Sequence, residues 1–147
     1  MLLSIYKGKP YAAPRGGNDF CDVRDVAAGI LAALDKGRSG ERYILGGEPM
    51  SYFEAWQMFA EIVGVRKPFR EMLPFVLRLV GRAGDLATRL MGREFEVNSA
   101  ATTMATWPHH YTYAKAQREL GYAPRPAREA AEAAWQWFVE HGYCQRR

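Results

Sequence analysis

Apolar residues recur every three or four positions through most of this chain, and glycine or proline interrupts them at intervals, the pattern of short amphipathic helices joined by turns. The segment DVRDVAAGILAALDKG sets Val23, Val26, Ala27, Ile30, Leu31 and Leu34 on one face, with Asp22 as N-cap, Asp25 three residues on, and Gly37 as the stop. ERYIL is a short run of strand formers followed by Gly46 and Gly47. The helix after it opens with the capping box Ser51-x-x-Glu54, carries Tyr52, Trp56, Phe59, Ala60 and Val63 on one side, and ends at Gly64. A third helix is expected from Pro74 to Gly92, bent or broken at Gly81 and Gly84, and a short fourth is capped by Asn98 and stopped by Pro108. A fifth runs from Thr112 to Leu120, and a last from Pro126 to His141 with a stripe of Ala127, Ala130, Ala131, Ala134, Trp137 and Phe138. About six helices with one or two short strands predict a mostly α, α+β fold.

Composition adds bounds. At 147 residues, 48% hydrophobic and 24% charged, the chain can build one core, so a single domain over residues 1–147 is expected. A net charge of +4 is spread along the sequence. The densest basic pairs, Arg66 with Lys67 and Arg146 with Arg147, are not interleaved with stacking aromatics, so no nucleic-acid partner is expected. Cys21 and Cys144 lack C-x-x-C spacing and read as free thiols of a cytoplasmic protein. Met1 to Pro10 is too short an apolar run for a signal peptide. LPFVLRLVGRAGDLATRLMG is interrupted by Arg78, Arg82, Asp85 and Arg89, so no membrane partner is expected.

Few residues suggest chemistry. The turn LGGEPMS could hold phosphate at a helix N-terminus, but it lacks a spaced third glycine and places Glu48 where an anion would be repelled. His109, His110 and His141 have no ligand-spaced carboxylate or cysteine, and Ser4, Ser39, Ser51 and Ser99 sit in no nucleophile elbow, so no metal site or serine nucleophile is expected. The stretch YTYAK is more pointed. A tyrosine four residues before a lysine is the acid–base spacing of short-chain dehydrogenases, which would need Tyr111 and Lys115 on one helical turn. No G-x-G-x-x-G accompanies it, and a proton donor without a hydride carrier is not an oxidoreductase.

The ordered set DVRDVA, GERYILGG, LP at Leu73 and Pro74, and KAQRELGY resembles the C-terminal half of NAD(P)-dependent epimerase/dehydratase proteins, the extended short-chain dehydrogenases. The likeness runs from about residue 7 to residue 143 and is nearest to the branch of dihydroflavonol reductase-like proteins and hopanoid-associated sugar epimerases. It implies that the catalytic tyrosine and lysine lie in a preceding Rossmann half, which makes Tyr111 and Lys115 a coincidence and leaves no catalytic residue here. It also implies that ERYIL adds a strand to the nucleotide-binding sheet while the helices form a lobe over substrate.

On this resemblance the chain is the substrate-binding lobe of such an enzyme. It would hold no cofactor alone, whereas a complete member would use NAD or NADP and a small-molecule substrate. Its expected partner is a second copy or a separate Rossmann domain. The loop from Arg15 to Phe20 is the expected substrate lining through Arg15, Asn18 and Phe20, with Tyr111 and the Leu73–Leu79 stretch as weaker candidates. Nucleotide-sugar epimerases commonly carry a diphosphate-gripping arginine where Asn18 stands, so a smaller carbonyl or alcohol substrate is open. The rival reading is a stand-alone, non-catalytic helical binding or oligomerisation module.

Overall fold

The computed structural model describes residues 1–9, 12–66, 70–93, 95 and 97–144; Pro10, Lys67, Arg146 and Arg147, named above, lie outside the described residues. The elements run α1 (Leu2–Tyr6), β1 (Ala12–Ala13), β2 (Gly17–Phe20), α2 (Val23–Lys36), β3 (Glu48–Ser51), α3 (Tyr52–Ile62), β4 (Arg70–Glu71), α4 (Pro74–Met91), α5 (Ser99–Met104), β5 (Pro108–His109), α6 (Ala114–Leu120) and α7 (Ala127–Glu140). The mostly helical expectation holds, with seven helices and five short strands among the described residues. The helix missed is α1, whose five residues are too few to show a period.

The core forms where α1, α3 and α7 meet. Ile5 from α1, Trp56, Phe59 and Ala60 from α3, and Ala131 and Trp135 from α7 bury together with Ala13 and Cys144. The capping box fixes the start of α3: Ser51 Oγ accepts the Glu54 N–H at 3.1 Å, and a Glu54 carboxylate oxygen accepts the Ser51 N–H at 2.9 Å. A smaller cluster of Ala116, Leu120 and Tyr122 packs on Ala32, Ala33, Tyr43 and Leu45.

Three expectations are corrected. ERYIL is not a strand among the described residues; the strand is β3, after the glycine turn, paired antiparallel to β2 with Gly17 opposite Ser51 and Phe20 opposite Glu48. Among the described residues no strand pairs with residues 41–47, and Ile44 is exposed. Helix α4 is continuous through Gly81 and Gly84. A Cβ at Gly81 would strike the Thr102 hydroxyl, and one at Gly84 the Val97 carbonyl, so both glycines permit close approach by α5. The stripe on α7 divides: Ala127, Ala131 and Trp135 are buried, whereas Trp137 is exposed.

Gly84 makes the first test. Gly84→Val drives a branched side chain into a backbone carbonyl, which cannot rotate aside, and should cost about 1–3 kcal/mol, read by urea denaturation. Gly64→Ala, at φ +72° with open space around it, costs only backbone strain, about 1 kcal/mol.

Candidate functional site

The centre of the second sheet is β2, which lies between β3 and β5 and runs parallel to β5, with Asn18 opposite His109. Gly16 and Gly17 allow this crowding. A Cβ at Gly16 would lie 2.5 Å from the Ala105 carbonyl, and one at Gly17 would lie 2.8 Å from Nε2 of His110. Strand alternation then separates the side chains of β2. Phe20 turns to the core and meets Phe59 edge-on at 5.9 Å. Gly17 and Asp19 share the other face, where Asp19 Oδ2 accepts the Tyr111 N–H at 3.0 Å and lies beside Gly46.

The other oxygen of this carboxylate, Asp19 Oδ1, is buried without a hydrogen-bond partner among the described residues. An orphaned buried acceptor is costly and marks a place where a donor can be gained. Asp19, Gly46 and the Tyr111 backbone therefore gather at one end of β2, beyond its pairing with β5. Of the residues expected to line a site, Asn18 is exposed and its Oδ1 accepts the Asp19 N–H at 3.0 Å. Tyr111 is joined to the cluster by its backbone, with its side chain 54% exposed. Arg15 stands apart, paired with Glu71 at 3.2 Å. Sequence reasoning missed Asp19; the available signal was a carboxylate between glycines and a capped helix.

The YTYAK spacing does not set Tyr111 and Lys115 on one helical turn. Tyr111 precedes α6, and Lys115 Nζ donates to Glu41 at 2.5 Å and to the Arg42 carbonyl at 3.0 Å, which holds the Glu41 carboxyl below its usual range. The LGGEPMS turn is likewise structural: Glu48 accepts the first α7 N–H, from Ala127, at 3.0 Å. Among the described residues no three His, Cys, Asp or Glu side chains are grouped to hold a metal. The parallel pairs among them are two residues long, and the sequence has no G-x-G-x-x-G.

Beside β2 an ionic lock fixes the start of α2. Asp22 caps the helix through the Arg24 N–H at 2.8 Å, and the Arg24 side chain, bonded to the same carboxylate, lowers its pKa to about 2. Arg125 donates to Asp25 through its backbone at 2.9 Å and its guanidinium at 2.7 Å, which lowers Asp25 as well. Burial pushes the thiol of Cys21 up, with the Asp19 charge adding to it, and burial raises the Tyr122 hydroxyl to about 12. Both carboxylates have a lower pKa folded than unfolded, so their stabilisation is complete above the ordinary aspartate value near 4 and is lost as pH falls through their folded values, about 2 for Asp22. Acid titration followed by circular dichroism should show that loss, and Asp25→Asn should flatten it.

No protein-family model matches the chain. It is similar to a dihydroflavonol reductase-like protein of Synechocystis sp., 33% identical over 99% of this chain and 43% of the relative. It is also similar to sterol demethylase protein B of Methylococcus capsulatus, 30% identical over 96% of this chain and 44% of the relative. Among solved structures, the protein gox2253 is 35% identical with a TM-score of 0.78, covering 99% of this chain and 44% of that one. PA4631, a nucleoside-diphosphate-sugar epimerase from Pseudomonas aeruginosa, is 26% identical with a TM-score of 0.71, covering 98% and 42%. The chain thus spans less than half the length of these relatives. By the order of its motifs, its helical lobe and these likenesses, the chain belongs to the NAD(P)-dependent epimerase/dehydratase family of extended short-chain dehydrogenases and corresponds to the C-terminal part of such a protein.

Proposed function

We propose that residues 1–147 form one domain, the substrate-binding lobe of an NAD(P)-dependent epimerase, dehydratase or reductase, with no catalysis of its own. The observation that carries this reading is the coverage: 99% of the chain aligns with only 43% of a reductase-like relative. Residues 41–47 support it: they carry strand formers yet join no ladder among the described residues, as expected of a segment that pairs with a sheet outside this chain. The nicotinamide cofactor supplies hydride chemistry in a complete protein, and this chain's residues orient substrate. Asp19 and Tyr111 are the proposed lining, and Asn18, on the opposite face of β2, holds Asp19 in place by accepting its N–H. Asp19 accepts a hydrogen bond from a substrate hydroxyl through the oxygen left without a partner. Arg15 is engaged by Glu71 and Asn18 carries no charge, which favours a carbonyl or alcohol substrate over a nucleotide diphosphate. Phe20 supports the lining from the core side rather than touching substrate.

A second reading, a free-standing oligomerisation module, draws on one observation. A groove of about 460 Å³ between Cys21–Arg24 and the Ala130, Ala133, Ala134 and Trp137 side chains of α7 is open to a partner. Two measurements test these readings, and the second separates them. The chain alone, titrated with NADH and NADPH, should show no binding and no hydride transfer. In a full-length protein containing it, Asp19→Ala should raise KM about tenfold with a smaller change in kcat, the loss of one hydrogen bond to an otherwise buried acceptor. Hydride transfer by the chain alone, or an unchanged KM, would sink the substrate-lobe reading.

A further inference from the structure

Helix α4 holds the rest of the fold with only one of its faces. Leu77, Gly81 and Gly84 turn toward α5 and its N-terminal approach, and Asp85 accepts the Ser99 N–H at 3.0 Å. The opposite side carries Phe75 and Leu79, each 66% exposed, with Leu86 and Leu90 also exposed. At 3.6 residues per turn these four fall in one sector of about 60°, along roughly 22 Å of helix. Arg78, Arg82 and Arg89 occupy the adjacent sector, within about 40° of one another, all exposed. No described ion pair engages Arg78 or Arg82, and the one acidic side chain on α4, Asp85, is turned to Ser99.

We propose that α4 lies on an anionic lipid surface, with the Phe75, Leu79, Leu86 and Leu90 stripe buried among acyl chains and the arginine ridge among the headgroups. An amphipathic helix with low mean hydropathy, a basic flank and Phe and Leu on its apolar side binds in the plane of a bilayer. The arginines that prevent α4 from crossing a membrane are those that suit it to the surface, and among the described residues no helix is long and apolar enough to cross. The expectation of no membrane partner is thereby narrowed to no crossing. Charge complementarity selects this occupant over a second copy. A second α4 would bring the same arginines and no free carboxylate, whereas phosphatidylserine brings negative charge along the whole ridge. Nucleic acid would satisfy the arginines but leave the apolar stripe wet. The exposed stripe on α2 differs, since its flank mixes Arg24 with Asp35.

The test is co-sedimentation of the 147-residue chain with phosphatidylcholine vesicles, alone or with about 30 mol % phosphatidylserine. Binding should be at least tenfold tighter on the anionic vesicles and weaken with salt. Leu79→Glu with Leu90→Glu should abolish it, Arg78→Glu with Arg82→Glu should weaken it at least tenfold, and Leu31→Glu with Leu34→Glu on α2 should leave it unchanged. All six sites are exposed, and circular dichroism checks that each variant folds. Equal binding to both vesicle types, or loss only in the α2 variant, would overturn the proposal. So would an α4 variant that dissolves an oligomer, an oligonucleotide that binds where vesicles do not, or vesicle binding lost in a full-length protein containing this chain.

Discussion

Trp135→Ala should destabilise the chain by about 3–5 kcal/mol and lower its thermal midpoint by roughly 10 °C or more. Trp135 is buried on the inner side of α7, where it meets the Tyr6 ring at 5.3 Å and closes the cluster built by Ile5, Trp56, Phe59 and Ala60. Alanine there opens a cavity between three helices, and close-packed neighbours relax into such a space only in part. Trp137→Ala, two positions away, should cost no more than about 0.5 kcal/mol. Its ring stacks on His141 at 4.1 Å at the exposed end of the same helix. Urea denaturation of the two variants side by side checks the contrast. A large loss for Trp137 and a small one for Trp135 would mean that the other face of α7 is the inner one.

That contrast shows what the sequence could and could not reveal. Helical periodicity found α7 but aligned its stripe on Trp137, because small alanines populate both sides of the helix and the buried side is set by what α3 offers. Local signals succeeded where the physics is local: the Ser51 capping box, the Asn98 cap and the terminal glycines of α4 and α6, both at positive φ, lie where expected. The strands were mostly illegible, since pairs of two to four residues show no alternation. ERYIL was misplaced as a strand because its composition suits a ladder that no strand among the described residues offers it. The site was legible as a loop and not as a cluster. Asp19 is singled out only by its contact with Tyr111, 92 residues away in sequence, and by the burial of its second oxygen.

Helix α2 carries the same lesson to the surface, and from it comes the second large effect. Its period is strong and its ends are capped, yet the face bearing Val23, Ile30, Leu31 and Leu34 points outward, with Val23 78% and Leu34 80% exposed. Only Gly29 is buried, against Leu45 and Tyr122. Amphipathicity records that a partner exists, not that the partner belongs to the same chain segment. The chain alone should therefore associate with rising concentration, and Leu31→Glu with Leu34→Glu should render it monomeric in sedimentation velocity. Its stability should change by no more than about 0.5 kcal/mol, because both side chains are largely exposed. In a full-length protein the same substitutions should act in the opposite sense, lowering stability by several kcal/mol as two carboxylates are forced against the surface that covers α2. Monomer formation in the chain with destabilisation in the full-length protein would identify α2 as the seam between the lobe and the remainder. Association that persists in the variant, or a full-length protein left as stable as before, would remove α2 from that role.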